Sequence, residues 1–64
     1  MIQLQTRVSA TTLTDLNTKA AAVCADFFGT VPHEWFMQYV NAESFDESGM
    51  PTRYMADVQA TTKT

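Results

Sequence analysis

The sequence predicts a small α+β domain, a β-α-β unit followed by a C-terminal strand or hairpin. Three observations predict it. Residues 1–8 alternate along the chain, apolar residues recur at spacings of three and four over 13–27, and the segments 35–41 and 53–60 have the pattern of strands. The chain has 64 residues, which indicates a single domain spanning 1–64.

The first predicted strand covers residues 1–8. Successive side chains of a strand point to opposite faces of the sheet, and a period of two over eight residues is typical of a strand. One face takes Ile2, Leu4, Thr6 and Val8, and the other takes Met1, Gln3, Gln5 and Arg7.

The predicted helix covers residues 12–28. Thr12, with Asp15 three residues later, resembles a capping box, and Gly29 followed by Pro32 is typical of a helix end. One apolar face of this helix contains Leu13, Leu16, Ala20, Val23 and Phe27.

The second predicted strand covers residues 35–41, and its aromatic and β-branched residues favour that structure. Trp35, Met37, Tyr39 and Asn41 share one face; Phe36, Gln38 and Val40 share the other. Both faces carry large apolar groups, so we expect both to be buried. Residues 42–52 predict a polar loop, and 53–60 predict the third strand. The helix is long enough for a right-handed parallel crossover between the first two strands.

Self-association follows from the small size of the chain. One helix covers one face of a sheet, and the other face would stay wet in a monomer. A chain this short buries only about 60% of its unfolded surface, so it needs a staple, a metal or a partner. The single Cys24 excludes an internal disulfide, and no Cys/His cluster for zinc is present. We therefore expect a homo-oligomer that buries the faces of its sheets.

Composition argues against several function classes. Four basic residues stand against seven acidic ones, giving a net charge of −3, so no basic stripe is present to neutralise nucleic-acid phosphates. No apolar run approaches the roughly 18 residues of a membrane span. The first residues lack the pattern of a signal peptide. A soluble, cytoplasmic protein is the expectation.

The layout resembles the tautomerase superfamily, in particular its short chains similar to 4-oxalocrotonate tautomerase. No single element is specific, and the joint match of length, element order and terminal strand carries the resemblance. The matching segments are the strand 1–5, the crossover helix, 29–32 at its end, 34–36, Phe45, 48–49 and 51–58.

The resemblance implies a hexamer or another trimer-based assembly and proton transfer on a small keto or enol acid, without a metal or organic cofactor. In that family an N-terminal proline is the base, and here residue 1 is Met1, whose primary amine would take the role. The pocket arginine expected in the second strand falls at Met37 or Gln38. Carboxylate binding would then come from Arg53 or Arg7 of a neighbouring subunit.

Alternative interpretations remain open for these residues and for the whole chain. Phe45 with Tyr39 would wall the pocket, but Phe45 equally suits a loop anchor or a subunit contact. Met1 equally suits a plain strand terminus. The chain is accordingly a tautomerase-type isomerase, an inactive oligomeric module (including a subunit of a mixed oligomer that lacks the proline), or an unrelated small interaction protein.

Overall fold

The computed structural model describes residues 1–63. Its elements follow in the order β1 (Gln3–Ala10), α1 (Leu13–Phe28), β2 (His33–Phe45) and β3 (Pro51–Thr62). The predicted α+β fold, a β-α-β unit followed by a C-terminal strand, is confirmed. The last two strands are longer than predicted, so the expected loop 42–52 shortens to a turn between Phe45 and Pro51.

The three strands form one antiparallel sheet in the order β1-β3-β2. β3 pairs with β1 from Gln3↔Thr61 to Ala10↔Tyr54, and with β2 from His33↔Thr62 to Phe45↔Pro51. β1 and β2 consequently run in the same direction, as a crossover requires, but β3 lies between them. The two edge strands, β1 and β2, each have one backbone edge that no other strand of residues 1–63 pairs with.

Local chemistry sets both ends of α1. The Oγ1 of Thr12 accepts a hydrogen bond from the backbone N–H of Asp15 at 3.0 Å, which satisfies a donor that the first turn leaves free. At the other end Gly29 has a φ of +61° and donates its N–H to the carbonyl of Ala25 at 2.8 Å. The left-handed backbone at this position favours glycine. The helix ends at residue 28 as predicted and begins at residue 13, one residue later than predicted, with Thr12 as its cap.

The buried face of α1 coincides only in part with the predicted apolar face. Leu16 and Ala20 are fully buried, whereas Leu13 and Phe27 are about half exposed, at 54% and 52%. The helix contacts the sheet along a row of residues spaced four apart, which is one of the natural ridges on a helix surface. That row is Leu16, Ala20, Cys24 and Phe28.

The core lies between this row of α1 and one face of the sheet. The sheet contributes small side chains, which let the helix approach closely: Val8, Ala10, Ala56, Val58 and Ala60. Leu16, Val58 and Cys24 are the largest side chains that are fully buried. Burial raises the pKa of the Cys24 thiol, so this cysteine is an inert part of the core.

β2 is interrupted by bulges. The pairing with β3 shifts by one residue between Gln38 and Asn41, and Tyr39 in this interval has a φ of +56°. An extra residue reverses which face the following side chains occupy. Asn41 therefore pairs with Met55 on the face opposite that of Trp35 and Met37. The expectation that Asn41 shares their face was wrong.

Candidate functional site

The sheet has an inner face under α1 and an outer face that no element of residues 1–63 covers. Strand alternation and pairing assign these residues, among others, to this outer face: Gln3, Gln5, Arg7, Ser9, Glu34, Phe36, Gln38, Asn41, Met55, Asp57, Gln59 and Thr61. Phe36 is 56% exposed. Within a single chain only one face of β2 is thus covered, and burial of the other face stays a prediction for an oligomer.

A groove of about 500 Å³ crosses the outer face near the start of β1. Its polar lining consists of three amides, a hydroxyl and a carboxylate around Phe36. The side chains are those of Gln3, Gln5, Gln59, Thr61 and Glu34. Glu34 is the single charged residue in this lining, so the groove offers no cation to a substrate carboxylate.

Met1 lies at the same end of the sheet and is 88% exposed. The next residue anchors the strand, since the N–H of Ile2 donates to Oγ1 of Thr62 at 3.1 Å and its carbonyl accepts from the N–H of Thr62 at 3.0 Å. Because Met1 is so exposed, residues 1–63 form no apolar pocket around it.

Arg7 and Gln38 lie in one row of the outer face, on either side of Asp57. The Nε of Arg7 donates to Oδ1 of Asp57 at 3.0 Å, and the Arg7 side chain is 65% exposed. Neighbouring strands are about 4.8 Å apart, so Arg7 and Gln38 are separated by roughly 10 Å. The carboxylate of Asp57 already holds the guanidinium that was predicted to bind substrate.

Arg53 lies at the far end of the sheet. Its Nε donates to Oγ of Ser9 at 2.8 Å and is 3.3 Å from Oε2 of Glu43. Eight residues of β3 separate it from Thr61, the pairing partner of Gln3, which corresponds to about 26 Å of strand. Within one chain, Met1 and Arg53 cannot contact the same small substrate.

Phe45 and Tyr39 lie outside the groove. Phe45 is 60% exposed and pairs with Pro51 at the tip of the β2–β3 hairpin, and Tyr39 is 70% exposed on the bulge. The turn next to Phe45 is held by Asp46, whose Oδ1 accepts from Ser48 Oγ (2.7 Å), Ser48 N (2.9 Å) and Met50 N (3.0 Å). These hydrogen bonds, that of the Ser48 side chain foremost, lower the pKa of Asp46.

Sequence reasoning missed Lys19. Its Nζ donates to the carbonyl of Ser9 at 2.8 Å, which brings it to the same serine that Arg53 contacts. Lys19 is the single basic residue in α1, but its sequence neighbours Thr18 and Ala20 carry no motif. The position of Lys19 near Ser9 therefore follows only from how α1 packs beside the end of β1, which the sequence pattern does not show.

Neither a metal cluster nor a membrane-spanning helix is found in the described part of the chain. Over residues 1–63, no three His, Cys, Asp or Glu side chains group as metal ligands. No helix there has the length and apolar character needed to cross a membrane.

Comparison of the chain with protein-family models, with curated proteins and with solved structures gave no match. Membership of the tautomerase superfamily therefore stays a prediction from the sequence, which none of these comparisons tests.

Proposed function

We propose that this chain is a self-assembling module that packs the outer face of its sheet against further copies and has no independent proton-transfer activity. The observation that carries the proposal is Phe36, a large apolar side chain that is 56% exposed on a face with no cover. Burying such a side chain stabilises the buried state by about 1.5–3 kcal/mol, and residues 1–63 provide nothing that buries it.

The surface area supports a partner. The chain exposes 4403 Å², whereas a folded monomer of 7.1 kDa is expected to expose roughly 4,100 Å². The excess reflects the elongated shape, 47 × 16 × 12 Å. A standard interface takes about 800 Å² from each partner, which is about a fifth of this surface.

A second copy of the chain fits the outer face better than a partner whose surface carries charges of one sign only. The face carries charges of both signs, with Arg7 beside Asp57 and Glu34 near the other end. A surface that contains both signs can complement itself in a symmetric pair. The unpaired backbone edges of β1 and β2 offer further hydrogen bonds to the same partner.

The separation of the predicted catalytic residues argues against activity in a single chain. Met1 and Arg53 lie at opposite ends of the sheet, and the groove nearest Met1 carries Glu34 rather than a cation. We expect no ketonisation of enol-phenylpyruvate above the buffer rate across the pH range in which an α-amine titrates. Turnover that is lost when the amine of Met1 is acetylated would establish catalysis between subunits instead.

Assembly through the outer face is tested by native mass spectrometry and light scattering over a dilution series. We expect the wild type to form a defined oligomer and Phe36→Gln to dissociate at higher concentration. Phe27→Gln is the matched control, since Phe27 has the same residue type and similar exposure, 52%, but lies on α1. A monomeric wild type, or equal effects of the two substitutions, would contradict the proposal.

A further inference from the structure

A second pocket, of about 290 Å³, lies where β1 ends and α1 begins. We call it the β1–α1 pocket. It is separate from the groove on the outer face, since the two share no lining residue. Five of its six lining residues have polar or charged side chains; the six are Ala10, Thr11, Asp15, Thr18, Lys19 and Arg53.

Two cations converge on this pocket. Lys19 donates to the carbonyl of Ser9 and Arg53 donates to its hydroxyl, each at 2.8 Å. The whole chain has four basic residues and a net charge of −3, so half of its positive charge is gathered at one serine. The other two are Arg7, which is paired with Asp57, and Lys63 near the chain end.

The contacts with Ser9 orient the two cations without exhausting their donors. An ammonium group has three N–H donors and a guanidinium has five. Lys19 uses one of them on Ser9, and the contacts of Arg53 with Ser9 and Glu43 both run through Nε. The terminal edge of the guanidinium, with its two Nη groups, is the part that binds carboxylates in a bidentate manner.

The remaining lining residues limit what could bind. Asp15 is the single acidic residue in the lining, and Glu43, outside the lining, lies 3.3 Å from Nε of Arg53. Two carboxylates therefore balance the two cations, and both would repel a dianion more strongly than a singly charged anion. A water molecule occupies about 30 Å³ of liquid, so the pocket has room for roughly ten heavy atoms.

We propose that the β1–α1 pocket binds a small, singly charged oxyanion such as a monocarboxylate, held by Lys19 and Arg53. This inference does not rest on the assembly proposed above, because it needs no second copy. In this proposal the contacts with Ser9 do more than link β1 to α1, because they hold the side chains of Lys19 and Arg53 beside the same pocket.

The test is a titration of the protein with acetate, in which NMR measures the amide chemical shifts at constant ionic strength. Chloride is the reference anion, and inorganic phosphate is the competing oxyanion. We expect saturable shifts at Ala10, Thr11 and Lys19 with acetate. Phosphate should bind more weakly as its dianion fraction rises with pH, and chloride should give no saturable shift.

Charge-matched substitutions separate a site from general attraction to basic residues. Lys19→Gln and Arg53→Gln should each weaken acetate binding about fivefold, the scale of one partly exposed charge pair. Lys63→Gln and Arg7→Gln remove the same charge elsewhere and should change it less than about twofold. Asp15→Asn should strengthen binding, and Lys19→Arg should retain it with the fold intact.

Three results would overturn the proposal. The first is acetate shifts that do not saturate or that spread over all basic residues. The second is equal weakening by Lys19→Gln and Lys63→Gln in variants whose circular dichroism matches the wild type. The third is retention of full affinity by the double variant of Lys19 and Arg53.

Discussion

The inner and outer faces of the sheet are built from the same three strands and differ in what covers them. On the inner face Val58 is fully buried beneath Leu16 and Cys24 of α1. On the outer face Phe36, one residue along β2 from the half-buried Trp35, is 56% exposed. Strand alternation gives the chain two surfaces that take apolar residues, but a single helix buries only one of them. The second surface is therefore available for binding.

The largest effect expected is loss of the inner core. Leu16→Ala should lower the free energy of unfolding by about 2–5 kcal/mol, because it leaves a cavity under a fully buried side chain. Leu13→Ala, at a helix position that is 54% exposed, is the matched control and should change it by less than about 0.5 kcal/mol. Urea unfolding followed by circular dichroism measures both. Similar losses for the two variants would mean that the two leucines do not differ in burial.

A smaller effect is expected at the bulge of β2, where the outer face loses its regular alternation. Tyr39 has a φ of +56°, a conformation that costs an L-residue roughly 1–2 kcal/mol. Tyr39→Gly should raise the free energy of unfolding by about 0.5–1 kcal/mol, since relief of this cost exceeds the entropic penalty of glycine.

Val40→Gly is the control for that substitution, because Val40 lies in the same bulge without a positive φ. It should destabilise the chain by at least about 0.5 kcal/mol. Destabilisation of similar size by both variants in thermal unfolding would show that Tyr39 contributes contacts worth more than the backbone strain.

The smallest effect on stability is expected at the turn between β2 and β3, which belongs to neither face of the sheet. The hydrogen bonds from Ser48 and Met50 lower the pKa of Asp46, so the folded turn favours the ionised carboxylate. The stability that this gives is fully present above the ordinary pKa of an aspartate and is lost as the pH falls through the lowered value. The amide shifts of Ser48 and Met50 should follow this titration. Asp46→Asn should abolish it, and a titration that persists in this variant would assign it to another group.

Much of the fold could be predicted because its signals are local. The caps Thr12 and Gly29 act within one turn of α1, and the alternation of β1 depends only on neighbouring residues. Errors arose where one extra residue in a strand, or the rotation of the helix about its axis, decides which face a side chain occupies. The bulge at Tyr39 moves Asn41 to the other face, and no glycine in the sequence marks it. Phe28 rather than Phe27 enters the core because the contact follows a spacing of four.

The candidate sites could be predicted less well than the fold. Arg53 was predicted to bind a substrate carboxylate from a neighbouring subunit, which stays a prediction, and the approach of Lys19 to the same end of β1 was not predicted. The contact of Lys19 with Ser9 joins two elements whose relative placement depends on the whole sheet. Residue types alone gave no means of excluding Met1 and Arg53 as partners, since their separation follows from the register of β1 with β3.

The central position of β3 makes it the strand on which both others depend. β1 pairs with no other strand of residues 1–63, and its partner positions begin at Tyr54. Gln3 and Thr61 are 58 positions apart, the difference of their numbers. Contacts between such distant residues slow folding, because a long loop must close before they form. During synthesis β1 must wait until residues 54–61 have been made, and removal of these residues would leave β1 without a strand partner.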